Sequence, residues 1–139
     1  MAVRERQGRR ILVVDDERDV ADSLGIMLGL EGHEVKVAYD GESALVLVGD
    51  FIPQVILVDL GMPRMDGYEL ARKLREREEL ALAQLVAVSG YAQPSDRERS
   101  KAAGIHHHLA KPVDPLALLA FIEQLDDAAP DRRALGSDA

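Results

Sequence analysis

The chain of 139 residues contains no cysteine, which excludes disulfides, thiol nucleophiles and thiolate metal sites. Its apolar runs stop well short of the roughly 20 residues that a membrane-spanning helix needs. The N-terminal stretch MAVRERQGRR has no apolar segment of the kind a secretory signal requires. A cytoplasmic location without membrane contact is therefore expected. No GxxxxGK loop is present, which argues against P-loop nucleotide hydrolysis. Acids outnumber cations, 25 Asp and Glu against 17 Lys and Arg. The net charge of −8 divides into +3 over residues 1–10, zero over 129–139 and −11 over the stretch between. A domain that acidic is repelled by a phosphate backbone, so no nucleic-acid partner is expected.

What remains is 47% apolar, enough for one globular domain with its own core. Short apolar strands alternate five times with amphipathic segments of helix length. The expected strands are 11–15 (ILVVD), 34–38 (EVKVA), 55–59 (VILVD), 84–89 (QLVAVS) and 106–110 (HHHLA). The first, third and fourth are apolar almost throughout, as strands covered on both faces should be. Between them, 18–30 sets Val20, Leu24, Met27 and Leu28 on one helical face. Residues 41–50 carry Ala44, Leu45, Leu47 and Val48 in the same way. Asp66 with Glu69 and Ser95 with Glu98 have capping-box spacing, which opens helices at 66–78 and 96–103. Asp114 and Pro115 supply a cap and a first-turn proline for the last helix. Right-handed crossovers fold such a (βα)5 pattern into a parallel sheet covered on both faces.

Ligands of such sheets sit beyond the carboxyl ends of the strands. Those ends carry Asp15, Asp16, Asp59 and Ser89, with Lys111 just past the fifth strand. Adjacent carboxylates at the end of a buried strand repel each other and lose hydration, so a fold should avoid them unless they have work to do. Three of them make a hard-oxygen cage for a divalent cation, and Mg2+ suits a site with few carboxylates and open positions. Lys111 and Ser89 add a point charge and a donor of the kind that stabilises a transferring phosphoryl group. Asp59 can then act as a nucleophile and become an acyl phosphate.

The segments VVDD, VILVDLGMPRMDG, VSG and LAKP, each at a strand end and in this order, resemble the receiver domain of two-component response regulators. The resemblance spans residues 10–127, leaving 1–9 and 128–139 as flexible tails. It implies a flavodoxin-like three-layer sandwich with strand order 2-1-3-4-5. It makes Asp59 the phosphoacceptor, supplied by a sensor histidine kinase or phosphotransfer protein and read by a downstream protein. Mg2+, with Mn2+ as a substitute, would be held by Asp16 and Asp59 directly, by Asp15 mainly through water, and by the backbone carbonyl of Gly61. Lys111, Ser89 and the Gly90 backbone would stabilise the phosphoryl group, and the peptide before Pro112 would be cis. Ser89 and the residue at 108 would form the switch. Receivers commonly carry Tyr or Phe where this chain has His108, so a weaker or differently coupled output is expected. The chain would catalyse only its own phosphorylation and dephosphorylation, as a monomer or weak homodimer. It is expected to be either a free-standing receiver or one of the type attached to hybrid histidine kinases.

Simpler readings exist for each residue alone. Asp15 is a possible helix cap, Asp16 a solvated anion, Ser89 an ordinary strand-end hydroxyl, Lys111 a surface lysine and MPRMDG a turn. A degenerate receiver that only binds partners is the serious rival, and the intact acidic set argues against it. A haloacid-dehalogenase-type phosphatase needs a second Asp where Gly61 stands. A flavodoxin-like carrier needs a hydroxyl- and glycine-rich loop where DDERD stands. The run His106–His107–His108 invites a metal reading, but successive strand residues alternate faces, so at most two of the three share one. Tyr91 is expected at the mouth of the site.

Overall fold

A computed structural model describes residues 8–90 and 94–125, with the side chains of 94–97 left aside. Five strands, β1 (Arg10–Val14), β2 (Glu34–Ala38), β3 (Val55–Asp59), β4 (Gln84–Ser89) and β5 (His107–Ala110), form one sheet. All are parallel, in the order β2-β1-β3-β4-β5. The helices are α1 (Arg18–Leu30), α2 (Gly41–Phe51), α3 (Gly67–Arg75), α4 (Pro94–Ala102) and α5 (Pro115–Gln124). The expected flavodoxin-like sandwich is what the chain forms.

Two cores lie on the two faces of the sheet. On one, Leu12, Val14, Ile56, Val58, Leu85 and Ala87 pack against α2 and α3 and against Ala103 and Ile105 beyond α4. On the other, Ile11, Val13, Val55, Leu57 and Val86 pack against Ala21 and Leu28 of α1 and Leu118 and Ile122 of α5. Every residue of β3 is buried, which is why that strand can carry no polar group until Asp59 closes it.

Several boundaries differ from the sequence expectation, each for a local reason. β1 starts at Arg10 and ends at Val14, so Asp15 stands just beyond it. β5 starts at His107 rather than at residue 106. The third helix ends at Arg75, not 78, because its apolar period meets Glu76, Arg77 and Glu78. A 3-10 turn over Glu78–Leu80 then carries Leu80 into the core. Val20, expected on the buried face of α1, is 38% exposed, and Ala21 takes the core position beside it. Asp66 caps α3 by accepting from the Glu69 N–H at 2.9 Å. α4 begins at Pro94, ahead of the expected cap Ser95, whose side chain lies outside the described set. Asp114 occupies the cap position of α5 but makes no side-chain capping bond there. Tyr91 also falls outside the described residues, as do 1–7 and 128–139 of the expected tails and 126–127 at the end of the expected domain. Arg9 is held: its N–H donates to His33 Nδ1 at 3.0 Å and its guanidinium to the Leu125 carbonyl.

α4 is seated differently from the other helices. α1, α2, α3 and α5 each bury at least one large apolar side chain, and each such burial contributes about 1.5–3 kcal/mol. The α4 sequence PSDRERSKA offers none. Its buried residue among those described is Ser100, and a hydrogen bond contributes a net of only about 1 kcal/mol.

Gly67 explains the glycine of the MDG turn. A Cβ there would lie 2.7 Å from both the Asp59 carbonyl oxygen and Leu60 Cα, and that backbone cannot give way. Gly67→Ala should therefore destabilise the fold by about 1–3 kcal/mol. Gly49→Ala, an exposed position in α2 whose Cβ would meet nothing within 4 Å, should stabilise it by about 0.5–1 kcal/mol. Urea unfolding measures both. Equal effects of the two substitutions would contradict the close approach at Gly67.

Candidate functional site

Parallel pairing puts the ends of β1, β3 and β4 side by side and sets the site's geometry. Val14 is registered with Val58 and Asp59 with Val88, so the residues that follow emerge at one sheet edge. Asp15, one residue past β1, is buried, and its Oδ1 accepts from the Glu17 N–H at 2.9 Å. Asp16 beside it is exposed. Asp59 is buried and its Oδ1 accepts from the Gly61 N–H at 3.0 Å. One oxygen from each of Asp15, Asp16 and Asp59 falls within 4.8 Å of the others. Among the described residues this is the one cluster of acidic or imidazole groups with metal-ligand spacing.

Lys111 enters from the opposite side. Its N–H donates to the Ser89 carbonyl at 3.0 Å, and the Lys111–Pro112 peptide is cis. The ammonium lies 3.4 Å from Asp15 Oδ2, 3.4 Å from Asp59 Oδ2 and 3.5 Å from Glu17 Oε1. Glu17 was not among the expected site residues. The acid in DDERD was its signal in the sequence, and it reads there as one more solvated charge. Asp16, Glu17, Asp59, Gly61, Ser89, Gly90 and Lys111 all line a cavity of about 500 Å3, with Leu60 and Tyr68 as its apolar wall. Tyr68 is a second residue the sequence reading missed.

The charges do not balance. Asp15, Asp16, Glu17 and Asp59 share one ammonium. At the 4.8 Å limit each ionised pair of the metal-spaced acids repels by roughly 3 kcal/mol at an effective dielectric constant of about 20. Burial, helped by the neighbouring Asp59 charge, raises the Asp15 pKa to about 6 against the opposing pull of the Glu17 N–H and Lys111. Burial works against the Lys111 ammonium, but the carboxylates of Asp59 and Asp15 outweigh it and raise its pKa above the ordinary lysine value. The donor set is all oxygen, anionic and compact, which fits a hard divalent cation.

The histidine run divides as strand alternation requires. His106 precedes β5 and is exposed. The His107 ring meets Phe121 of α5 edge-on at 5.4 Å and lies 3.0 Å from Gln84 Oε1. His108 faces α4, with Nε2 2.6 Å from Ser100 Oγ. The imidazole at 108 thus has a polar partner on the neighbouring helix.

This arrangement, acids at the ends of the first and third strands of a 2-1-3-4-5 sheet facing a lysine after the fifth, defines a class. The model of the response regulator receiver domain matches residues 11–123, and the chain belongs to that family, the receivers of two-component signalling. It is 40% identical over 114 residues to the 14.6 kDa protein in sodA1 3'region of Leptolyngbya boryana, covering 82% of this chain and 87% of that one. Response regulator MprA of Mycobacterium sp. (strain KMS) is 38% identical over 132 residues, 91% of this chain. The chain spans 56% of that regulator's length. Chemotaxis protein CheY4 of Vibrio cholerae shares the fold with a TM-score of 0.82 at 27% identity, over 86% of this chain and 99% of that one. A CheY-like receiver domain protein from Methanospirillum hungatei JF-1 does so with a TM-score of 0.81 at 30% identity, over 91% and 99%. No helix among the described residues is long and apolar enough to cross a membrane.

The raised Asp15 pKa has a defined consequence for stability. Between about pH 4 and 6 the folded chain holds a proton that the unfolded chain has released, so this group's contribution falls as pH rises through that window. The span from 3.8 to about 6 corresponds to about 3 kcal/mol. In metal-free buffer, Asp15→Asn should therefore gain stability relative to the native chain as pH rises from 4 to 7. Thermal melts across that range measure the difference, and a difference constant with pH would show that burial does not strain this carboxylate.

Proposed function

We propose that the chain is a phosphoacceptor receiver in which Asp59 takes a phosphoryl group from the phosphohistidine of a sensor kinase or phosphotransfer protein and so changes the partner it binds. The observation that carries this reading is the packing of three carboxylate oxygens within 4.8 Å beside an ammonium at 3.4 Å from two of them. An Asp59 oxygen attacks the phosphorus. One O–P bond forms, one N–P bond breaks, and the electron pair leaves on the donor's imidazole nitrogen.

Asp16, Asp59 and the Gly61 carbonyl would hold Mg2+ directly, with Asp15 bound mainly through water and Mn2+ as a substitute. The cation supplies charge neutralisation for the phosphoryl oxygens when bound. The chain's own groups do the rest. The Gly61 N–H holds one Asp59 oxygen, which leaves the other facing Lys111. Lys111 gives up its contacts with Asp59 and Asp15 and follows the negative charge onto the phosphoryl group. Ser89 and the Gly90 N–H, on the rim of the same cavity, donate to the remaining oxygens. The chain in this reading catalyses only its own phosphorylation and dephosphorylation. It acts in the cytoplasm on protein partners, and its acidity disfavours nucleic acid.

Incubation with Mg2+ and acetyl phosphate should raise the intact mass by one phosphoryl group. The shift should vanish in Asp59→Asn and in EDTA. A shift that survives Asp59→Asn would move the acceptor elsewhere and defeat the proposal.

A further inference from the structure

Polar side chains also collect at the other end of the sheet, where its strands begin. Arg10 opens β1, Gln84 opens β4 and Gln54 stands just before β3. Their backbones are tied in a row. The Gln54 N–H donates to the Arg10 carbonyl at 2.8 Å, and the Gln84 N–H to the Gln54 carbonyl at 2.8 Å. All three residues line a cavity of about 210 Å3 whose walls include Ile52 and Leu82. Those two are among the large apolar side chains left in solvent, 39% and 44% exposed. This cavity shares no residue with the one that holds Asp59 and Lys111.

What these residues offer is donors. The Arg10 N–H donates to Gln54 Oε1 at 2.8 Å, and Arg10 Nε donates to the Ile52 carbonyl at 2.9 Å. The guanidinium is thereby positioned, and its terminal nitrogens have no acidic partner among the described residues. The carboxamide oxygen of Gln54 is taken by that N–H, and the one of Gln84 lies 3.0 Å from His107 Nε2. The two amides therefore contribute their NH2 groups. Arg9 and Arg10 against Glu79 give the lining a positive balance, in a chain whose net charge is −8. The turn beside Arg10 is strained. Ile52 has a φ of 48°, in the left-handed region, at the end of α2 and directly before Pro53. A β-branched residue is disfavoured there, and Gly or Asn is the usual occupant of such helix ends. In this conformation the Ile52 carbonyl meets Arg10 and its side chain walls the cavity. Strain of this kind collects at binding sites.

We propose that this cavity binds a small organic carboxylate with an apolar body, of about the size of benzoate. The carboxylate pairs with the planar fork of the Arg10 guanidinium and accepts from the amide nitrogens of Gln54 and Gln84. The apolar body lies between Ile52 and Leu82 and takes both out of water. An apolar cavity of about 150 Å3 accommodates benzene, so one of about 210 Å3 takes a body of that size with a single polar group. An inorganic anion leaves the apolar walls unused, and a neutral aromatic leaves Arg10 unanswered. The site is independent of the reading of Asp59 as phosphoacceptor.

Titration of the full chain with benzoate, followed by amide NMR, tests the site. Benzamide, which lacks the charge, and acetate, which lacks the apolar body, are the comparison ligands. Benzoate should give saturable shifts centred on residues 9–10, 52–54 and 79–84 with a Kd of about 1 mM, and the other two should bind about tenfold more weakly or worse. Arg10→Gln should weaken benzoate by about tenfold and leave benzamide unchanged. Leu82→Ser, at an exposed position that keeps the guanidinium, should weaken benzoate by about fivefold and leave acetate unchanged. It decides the matter if Arg10→Gln fails to fold. Shifts centred on Asp59 and Lys111, or the absence of saturation by about 50 mM benzoate, overturn the proposal. So does benzamide binding as tight as benzoate, or native benzoate affinity in either folded variant.

Discussion

The repulsion among Asp15, Asp16 and Asp59 is the constraint around which the molecule is arranged. These groups cannot drift apart, because the backbone that carries them is fixed. β1 and β3 are paired in parallel over four residues, both strands are buried on both faces, and the side-chain oxygens of Asp15 and Asp59 are tied to N–H groups two residues on. Lys111 is the main relief within the chain, and it answers only part of the charge. A site under such strain is ready to bind whatever removes it, and a divalent cation followed by a phosphoryl group suits the oxygen donors and the ammonium together.

The rest of the fold divides into parts fastened by apolar burial and one helix held by polar contacts. α1, α2, α3 and α5 are fastened by apolar burial, and Gly67 brings the start of α3 hard against the Asp59 backbone. Any displacement there would have to break close packing. α4 sits at the same end of the sheet on polar contacts of much smaller worth. A rigid frame around the charges and a weakly held helix beside them are what a signalling domain needs. In the proposed reading the charge change at Asp59 is local, and the readout has to be a surface.

Much of this was legible in the residues. The unbroken apolar runs of β1, β3 and β4 marked a sheet buried on both faces, and the acids at the ends of β1 and β3 with the lysine after β5 marked its candidate site. The end of α3 was misjudged because its apolar period gives way to Glu76, Arg77 and Glu78, and Leu80 enters the core from the 3-10 turn that follows. Ala21 takes the core position expected of Val20. Glu17 was missed because nothing near it in sequence announces Lys111, 94 residues away. His108 was recognised as unusual, but its partner was not. Ser100 is one of several polar residues in PSDRERSKA, and only the placement of α4 over β5 shows that its hydroxyl is buried.

The central claim is that the acidic cluster is retained, against its cost to stability, for a divalent cation. The most direct test compares melting temperatures of the native chain and Asp16→Asn in EDTA and in a Mg2+ titration. Removing one of the three charges should make Asp16→Asn the more stable protein in EDTA. Mg2+ at a hundredfold over its Kd should then stabilise the native chain by about 2.7 kcal/mol and the variant far less, narrowing or reversing the order. Equal stabilisation of the two proteins by Mg2+, or a variant less stable in EDTA, would contradict the account.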